Sequence, residues 1–290
     1  MNPLRALAAL SCLLAIPAYA AVDADAFKAA VDLYARRRPL EARQAFEALA
    51  AANPDHPDIQ FYLGRLALQR DDHAKAVTHL EQAVALSPAD SRYHHRLGDA
   101  YGRSAQKAGI FSKLGLAGKC RAEYERAVAL DPKNLDARFS LLGFYQQAPA
   151  IAGGGLDKAH QQAQEIKRLD ASRGRMAVAG LHMVEKKFDL AYAEFAEALG
   201  LNPDDYAALF QSGRFSAITG THLEEGLAAL RKCLTLAPPE GQPPLAAVHW
   251  RLGMILEHRG DPTGARAAYE AALKIDPQFP QAADSLNKLK

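Results

Sequence analysis

Ten histidines, three cysteines and two glycine–lysine stretches are the parts of this 290-residue chain that could do chemistry. A zinc hydrolase needs two imidazoles one helical turn apart with a carboxylate beside them, yet no His-Glu-x-x-His occurs and no histidine has another four residues away. His94 and His95 are adjacent, so on a helix they point about 100° apart and do not converge on one ion; His94 is expected between helices and His95 on a ligand-facing side. Neither Gly-x-Ser-x-Gly nor Cys-x-x-Cys is present. Gly153-Gly154-Gly155-Leu156-Asp157-Lys158 and Gly118-Lys119 superficially suggest phosphate binding, but neither completes Gly-x4-Gly-Lys-Ser/Thr. The first reads better as a turn with Asp157 capping the next helix. No catalytic residue, metal site or cofactor is therefore expected.

Composition narrows the class. Hydrophobic residues make up 49% and charged residues 23%, which excludes a disordered or collagen-like chain. A net charge of +2 provides no field for nucleic acid. Residues 1–20 read as an export signal: Arg5, an apolar run from Ala6 to Ile16, then Ala18-Tyr19-Ala20 as a small-x-small cleavage site. The run is too short to span a bilayer, which takes about 20 residues. The expected product is soluble and periplasmic, with secretion as the alternative.

The rest repeats. Helix-ending prolines recur at Pro54, Pro88, Pro132, Pro203, Pro238 and Pro277, with Ala171 in the missing slot. Twelve residues before these stand Ala42, Ala76, Cys120, Ala159, Ala191, Gly226 and Ala265, all small. A second small series runs Ala30, Gly64, Gly98, Ala179, Gly213 and Gly253, broken by Leu142. Small residues let antiparallel helices cross closely, and proline stops the second helix of each pair. Cys120 and Cys233 fill slots where alanine is usual, and so read as buried, unbridged thiols.

These positions resemble the tetratricopeptide repeat, and the resemblance covers nearly all of residues 21–290. It is best at Leu63-Gly64…Ala76…Leu80…Ala83…Pro88 and at Leu252-Gly253…Ala265…Tyr269…Ala272…Pro277. It implies one all-α domain, a right-handed superhelical solenoid of about seven antiparallel helix pairs, with Pro280 to Lys290 as a capping helix. It further implies a concave groove lined by first helices. Carried onto this chain, the groove residues are Phe27, Phe61, Arg65, His95, Phe139, Met176, Phe210, Arg214 and Trp250, flanked by Gln146 and Met183 among others. Aromatic, methionine and arginine side chains suit peptide binding, although packing on neighbouring repeats is the alternative. Alanine at Phe61 and Phe210 is expected to weaken binding and leave the fold intact.

Two insertions break the period. One, within 102–119, carries Lys107, Ile110, Phe111, Lys113 and Leu114 and reads as a docking edge or as a prolonged helix. The other, Ala148 to Gly155, is expected beside it. The functional expectation is a non-catalytic scaffold of the bacterial cell envelope that binds an exported protein or peptide. A self-assembling structural subunit is the alternative, and an enzyme with an edge site a further one.

Overall fold

The computed structural model describes residues 22–289. The expected export signal and its cleavage site lie outside them. The described residues form fifteen α-helices and one 3-10 turn, with no strand. None of these helices is long and apolar enough to cross a membrane. The helices group into two compact units, Met1–Ser104 and Ala105–Lys290, and the division falls inside a helix.

The first unit holds α1 (Ala24–Ala35), α2 (Pro39–Ala52), α3 (Pro57–Gln69), α4 (His73–Leu86) and most of α5 (Ser91–Lys107). α1 packs on α2, α2 on α3 and α3 on α4, so short turns make each contact antiparallel. Ala30, Ala42 and Ala76 are fully buried where helices cross. A Cβ added to Gly64 would collide with the side chain of Leu80, which is why that crossing holds glycine. Around these contacts Phe46, Ile59, Leu63 and Leu66 build a continuous core.

In the second unit come α6 (Ile110–Leu130), α7 (Leu135–Gln147), the 3-10 turn (Ala150–Ala152), α8 (Leu156–Leu169) and α9 (Ala171–Val184). They are followed by α10 (Phe188–Leu201), α11 (Tyr206–Thr219), α12 (Leu223–Cys233), α13 (Leu245–His258), α14 (Pro262–Ile275) and α15 (Pro280–Lys288). Consecutive helices again pack together, and α11 also touches α13. Cys120 and Cys233 are buried and unbridged. Ala282 of α15 is fully buried, so this helix closes the end of the unit over α14.

Local sequence explains the helix limits. Six second helices end two residues before the expected stop position, at Ala52, Leu86, Leu130, Leu169, Leu201 and Ile275. The seventh, α12, ends at Cys233, five residues before Pro238, and an irregular proline-rich segment leads on to α13. Asp72, Asn134, Asp170, Asp205 and Asp261 each accept a hydrogen bond from a backbone N–H in the following first turn, satisfying donors the helix leaves free. Asp157 does not cap α8. Gly155 holds that position, and Asp157 lies in the first turn, where its charge still complements the helix dipole.

A second device recurs at the turns. Gln60 Nε2, His94 Nε2 and Arg138 Nε each hydrogen-bond the carbonyl of the proline six residues earlier, at 2.7, 3.0 and 2.7 Å. The side chain that follows the turn thereby fixes the helix that precedes it. The insertions are absorbed in different ways. The first becomes the opening turns of α6, which runs 21 residues where α4 and α8 have 14. The second forms the 3-10 turn and Gly153, whose φ of 90° is left-handed. It lies against α6, where a Cβ on Gly153 would meet the Arg121 guanidinium.

Candidate functional site

Three first helices of the second unit, α7, α9 and α11, line a cleft of about 680 Å³. On α9 the lining residues Arg173, Met176, Ala177, Gly180, Met183 and Val184 recur every three or four positions, which is one helical face. α11 contributes Ala207, Gln211, Arg214, Phe215 and Ile218 at the same spacing, and α7 adds Phe139 and Gln146. The concavity has a local cause: Ala177 and Gly180 are small, and a Cβ on Gly180 would meet nothing within 4 Å.

The floor is apolar and the rim polar. Phe195 and Phe215 are buried, with ring centroids 5.9 Å apart. The Arg173 guanidinium lies 4.6 Å from the Phe139 ring centroid, a cation–π contact at the mouth. Ser172 Oγ donates to Asp205 Oδ2 at 2.8 Å and so joins the starts of α9 and α11. Arg214 Nη1 donates to Gln211 Oε1 at 3.0 Å and remains exposed. Beyond it on α13, burial and the like charge of Arg214 pull Arg251 down to about 10. Arg251 Nε is buried and meets no hydrogen-bond acceptor among the described residues. An anionic group entering beside Arg214 would relieve this repulsion.

The structure brings Phe139, Gln146, Met176, Met183 and Arg214 together in this cleft. Phe61, His95 and Phe210 stand elsewhere. They are only 4%, 4% and 6% exposed, so they are packing residues and not groove-lining ones. Two of these side chains turn toward neighbouring helices: Phe61 meets Tyr93 at 5.0 Å, and Phe210 joins a core with Leu227, Val248 and Leu252. Phe27 is half-buried against Phe46 and Tyr62. Arg65 lies over the rings of Tyr34 and Phe61, at 4.6 and 5.2 Å. Trp250 is held by the last helix, its Nε1 donating to Ser285 Oγ at 3.1 Å and its ring meeting Phe279.

Lys107, Ile110, Phe111, Lys113 and Leu114 are all exposed, Phe111 at 96%. They lie at the end of α5 and on the first turns of α6. The groove residues read from the sequence left out Arg173 and Gln211, which line the cleft, and Arg251 behind it. Three-residue spacing from Met176 and from Arg214 would have reached the first two.

Two segments match family models of the tetratricopeptide repeat, residues 27–91 and 246–279. The chain contains tetratricopeptide repeats. Over 200 residues it is 26% identical to the peroxisomal targeting signal receptor of Kluyveromyces lactis, covering 68% of this chain and 33% of that one. It is 27% identical over 133 residues to cellulose synthase operon protein C of Pseudomonas fluorescens, covering 42% of this chain and 10% of that protein. The chain thus spans a third or less of these relatives. Among solved structures, a tetratricopeptide repeat protein from Parabacteroides merdae superposes with a TM-score of 0.62 at 14% identity, covering 91% of this chain and 96% of that one. Yeast Tom70 superposes with a TM-score of 0.63 at 17% identity, covering 87% and 51%. At these identities the structural likeness speaks for the fold alone.

Proposed function

We propose that this protein is a non-catalytic scaffold of the bacterial cell envelope, exported by residues 1–20, that holds an extended segment of a partner polypeptide in the α7–α9–α11 cleft. The carrying observation is the cleft itself: Met176, Met183 and Phe139 offer adaptable apolar contact, and Arg173 and Arg214 edge it. Aromatic, methionine and arginine side chains are enriched where proteins bind one another. Preformed helices lower the ordering cost of binding. Tetratricopeptide repeats generally mediate protein–protein contact, and one relative is by name a receptor for a targeting signal. Arg173 and Arg214 at the edge of the cleft favour a segment with an acidic residue beside its apolar ones.

Panning a displayed peptide library tests this reading. Selected peptides are expected to pair an acidic residue with apolar ones and to lose about 10-fold or more in affinity on Arg214→Ala, as for a residue contributing more than 1 kcal/mol. Phe111→Ala should leave binding unchanged. Recovery of no peptide, or equal loss at Phe111, would move the site out of the cleft. The exposed Ile110, Phe111 and Leu114 support a second reading, self-association through α6. Particle size that grows with protein concentration in the wild type, but not in a triple serine variant, would establish it.

A further inference from the structure

Away from the cleft, at the turn where α8 begins and α9 ends, two imidazoles and a carboxylate converge. His160 stands in the first turns of α8, His182 in the last turn of α9, and Glu185 is the residue that caps α9. Antiparallel packing of α8 on α9 brings the three together although 22 residues separate the histidines. Glu185 Oε2 lies 3.2 Å from His160 Nε2 and 3.3 Å from His182 Nδ1. One donor atom from each residue falls within 4.8 Å of the other two. The side chains are 26%, 17% and 18% exposed, and they border an open cleft with Asp157, Gln161 and Lys187.

A tetrahedral ion with ligand bonds of about 2.0–2.2 Å holds its donor atoms roughly 3.3–3.5 Å apart. The two carboxylate–imidazole edges, 3.2 and 3.3 Å, are close to that length, and the imidazole–imidazole edge lies within 4.8 Å. The outer shell is present too: Lys187 Nζ sits 3.3 Å from Glu185 Oε1 and so orients the carboxylate while leaving Oε2 to the centre.

We propose that His160, His182 and Glu185 form a binding site for a divalent transition-metal ion of the zinc class, with water completing the coordination. Two nitrogens and one carboxylate oxygen suit Zn²⁺, and also Co²⁺ and Ni²⁺, better than the all-oxygen preferences of Ca²⁺ or Mg²⁺. The ion ties the fourth helix pair to the fifth. This inference is independent of the peptide reading, because the cleft lies on the Met176–Gly180–Met183 face of α9.

The test uses tag-free full chain stripped with chelator and titrated with ZnCl2, with Co²⁺ as a spectroscopic stand-in. The expected results are one equivalent bound, visible bands of tetrahedral Co²⁺, and a rise in Tm that EDTA reverses. His160→Gln and Glu185→Gln should each weaken Zn²⁺ binding at least about 10-fold. Should His160→Gln lose helicity, the isosteric Glu185→Gln variant decides. A wild type that takes up no Zn²⁺, or variants that bind it equally well, would overturn the proposal and leave a hydrogen-bonded His–Glu–His cluster of purely structural effect.

Discussion

Cys233 shows how much a side chain's environment changes its chemistry. Burial pushes its thiol up to about 12, so at neutral pH it is a small hydrophobe in the core and not a nucleophile. Cys120 is buried at the crossing of its own pair. Both thiols should therefore react with an aromatic disulfide reagent only as the protein unfolds, and fast labelling of native protein would contradict that placement. Phe61 and Phe210 follow the same logic. The expectation that their removal spares the fold does not survive their burial, and each alanine substitution should cost about 3–5 kcal/mol in denaturant unfolding. Glycines divide in the same way. A Cβ on Gly253 would strike the Tyr269 ring, whereas Gly180 faces open space. Gly253→Val should destabilise by about 1–3 kcal/mol, and Gly180→Ala should stabilise by up to about 1 kcal/mol.

Among the elements, the clearest contrast is between α6 and its counterparts. Its extra turns carry Ile110 and Phe111 at 81% and 96% exposed, so little apolar burial is lost if they become serine. Ile110→Ser with Phe111→Ser should shift stability by less than about 0.5 kcal/mol, read from the denaturant midpoint; a large loss would mean that those turns pack on something. Asp205→Ala, by contrast, removes both the α11 cap and the Ser172 bond and should cost about 1–2 kcal/mol. The helices were legible in the sequence because small and proline positions report directly on crossings and stops. Six of seven second helices end at the distance those prolines imply. The exception, α12, ends early, and a signal placed at Pro238 says nothing about turns that unwind before it. Which face of each first helix is free was less legible. In the first unit Arg65 of α3 lies over Tyr34 of α1, and Asp58 of α3 holds Arg92 and Tyr93 of α5, pairings between helices that no periodicity reveals. The His160–His182–Glu185 cluster escaped for the same reason: a search along one helix at four-residue spacing cannot see a ligand on its neighbour.

At the scale of the molecule, the residues left for a partner are unevenly shared. The first-helix aromatics of the first unit satisfy one another, while the second unit holds both the cleft and the histidine–glutamate cluster. Repeat architecture explains how one chain does both, because each helix pair needs only its neighbours for a core and can vary its outward side chains freely. The central claim is that a polypeptide occupies the α7–α9–α11 cleft, and the most direct measurement fills that cleft from within. Gly180→Phe directs a ring into the cleft from a position where an added Cβ meets nothing within 4 Å. Isothermal titration with a library-selected peptide should show affinity lost by at least about 10-fold while Tm and helicity are kept. Undiminished affinity in a folded Gly180→Phe protein would place the binding surface elsewhere.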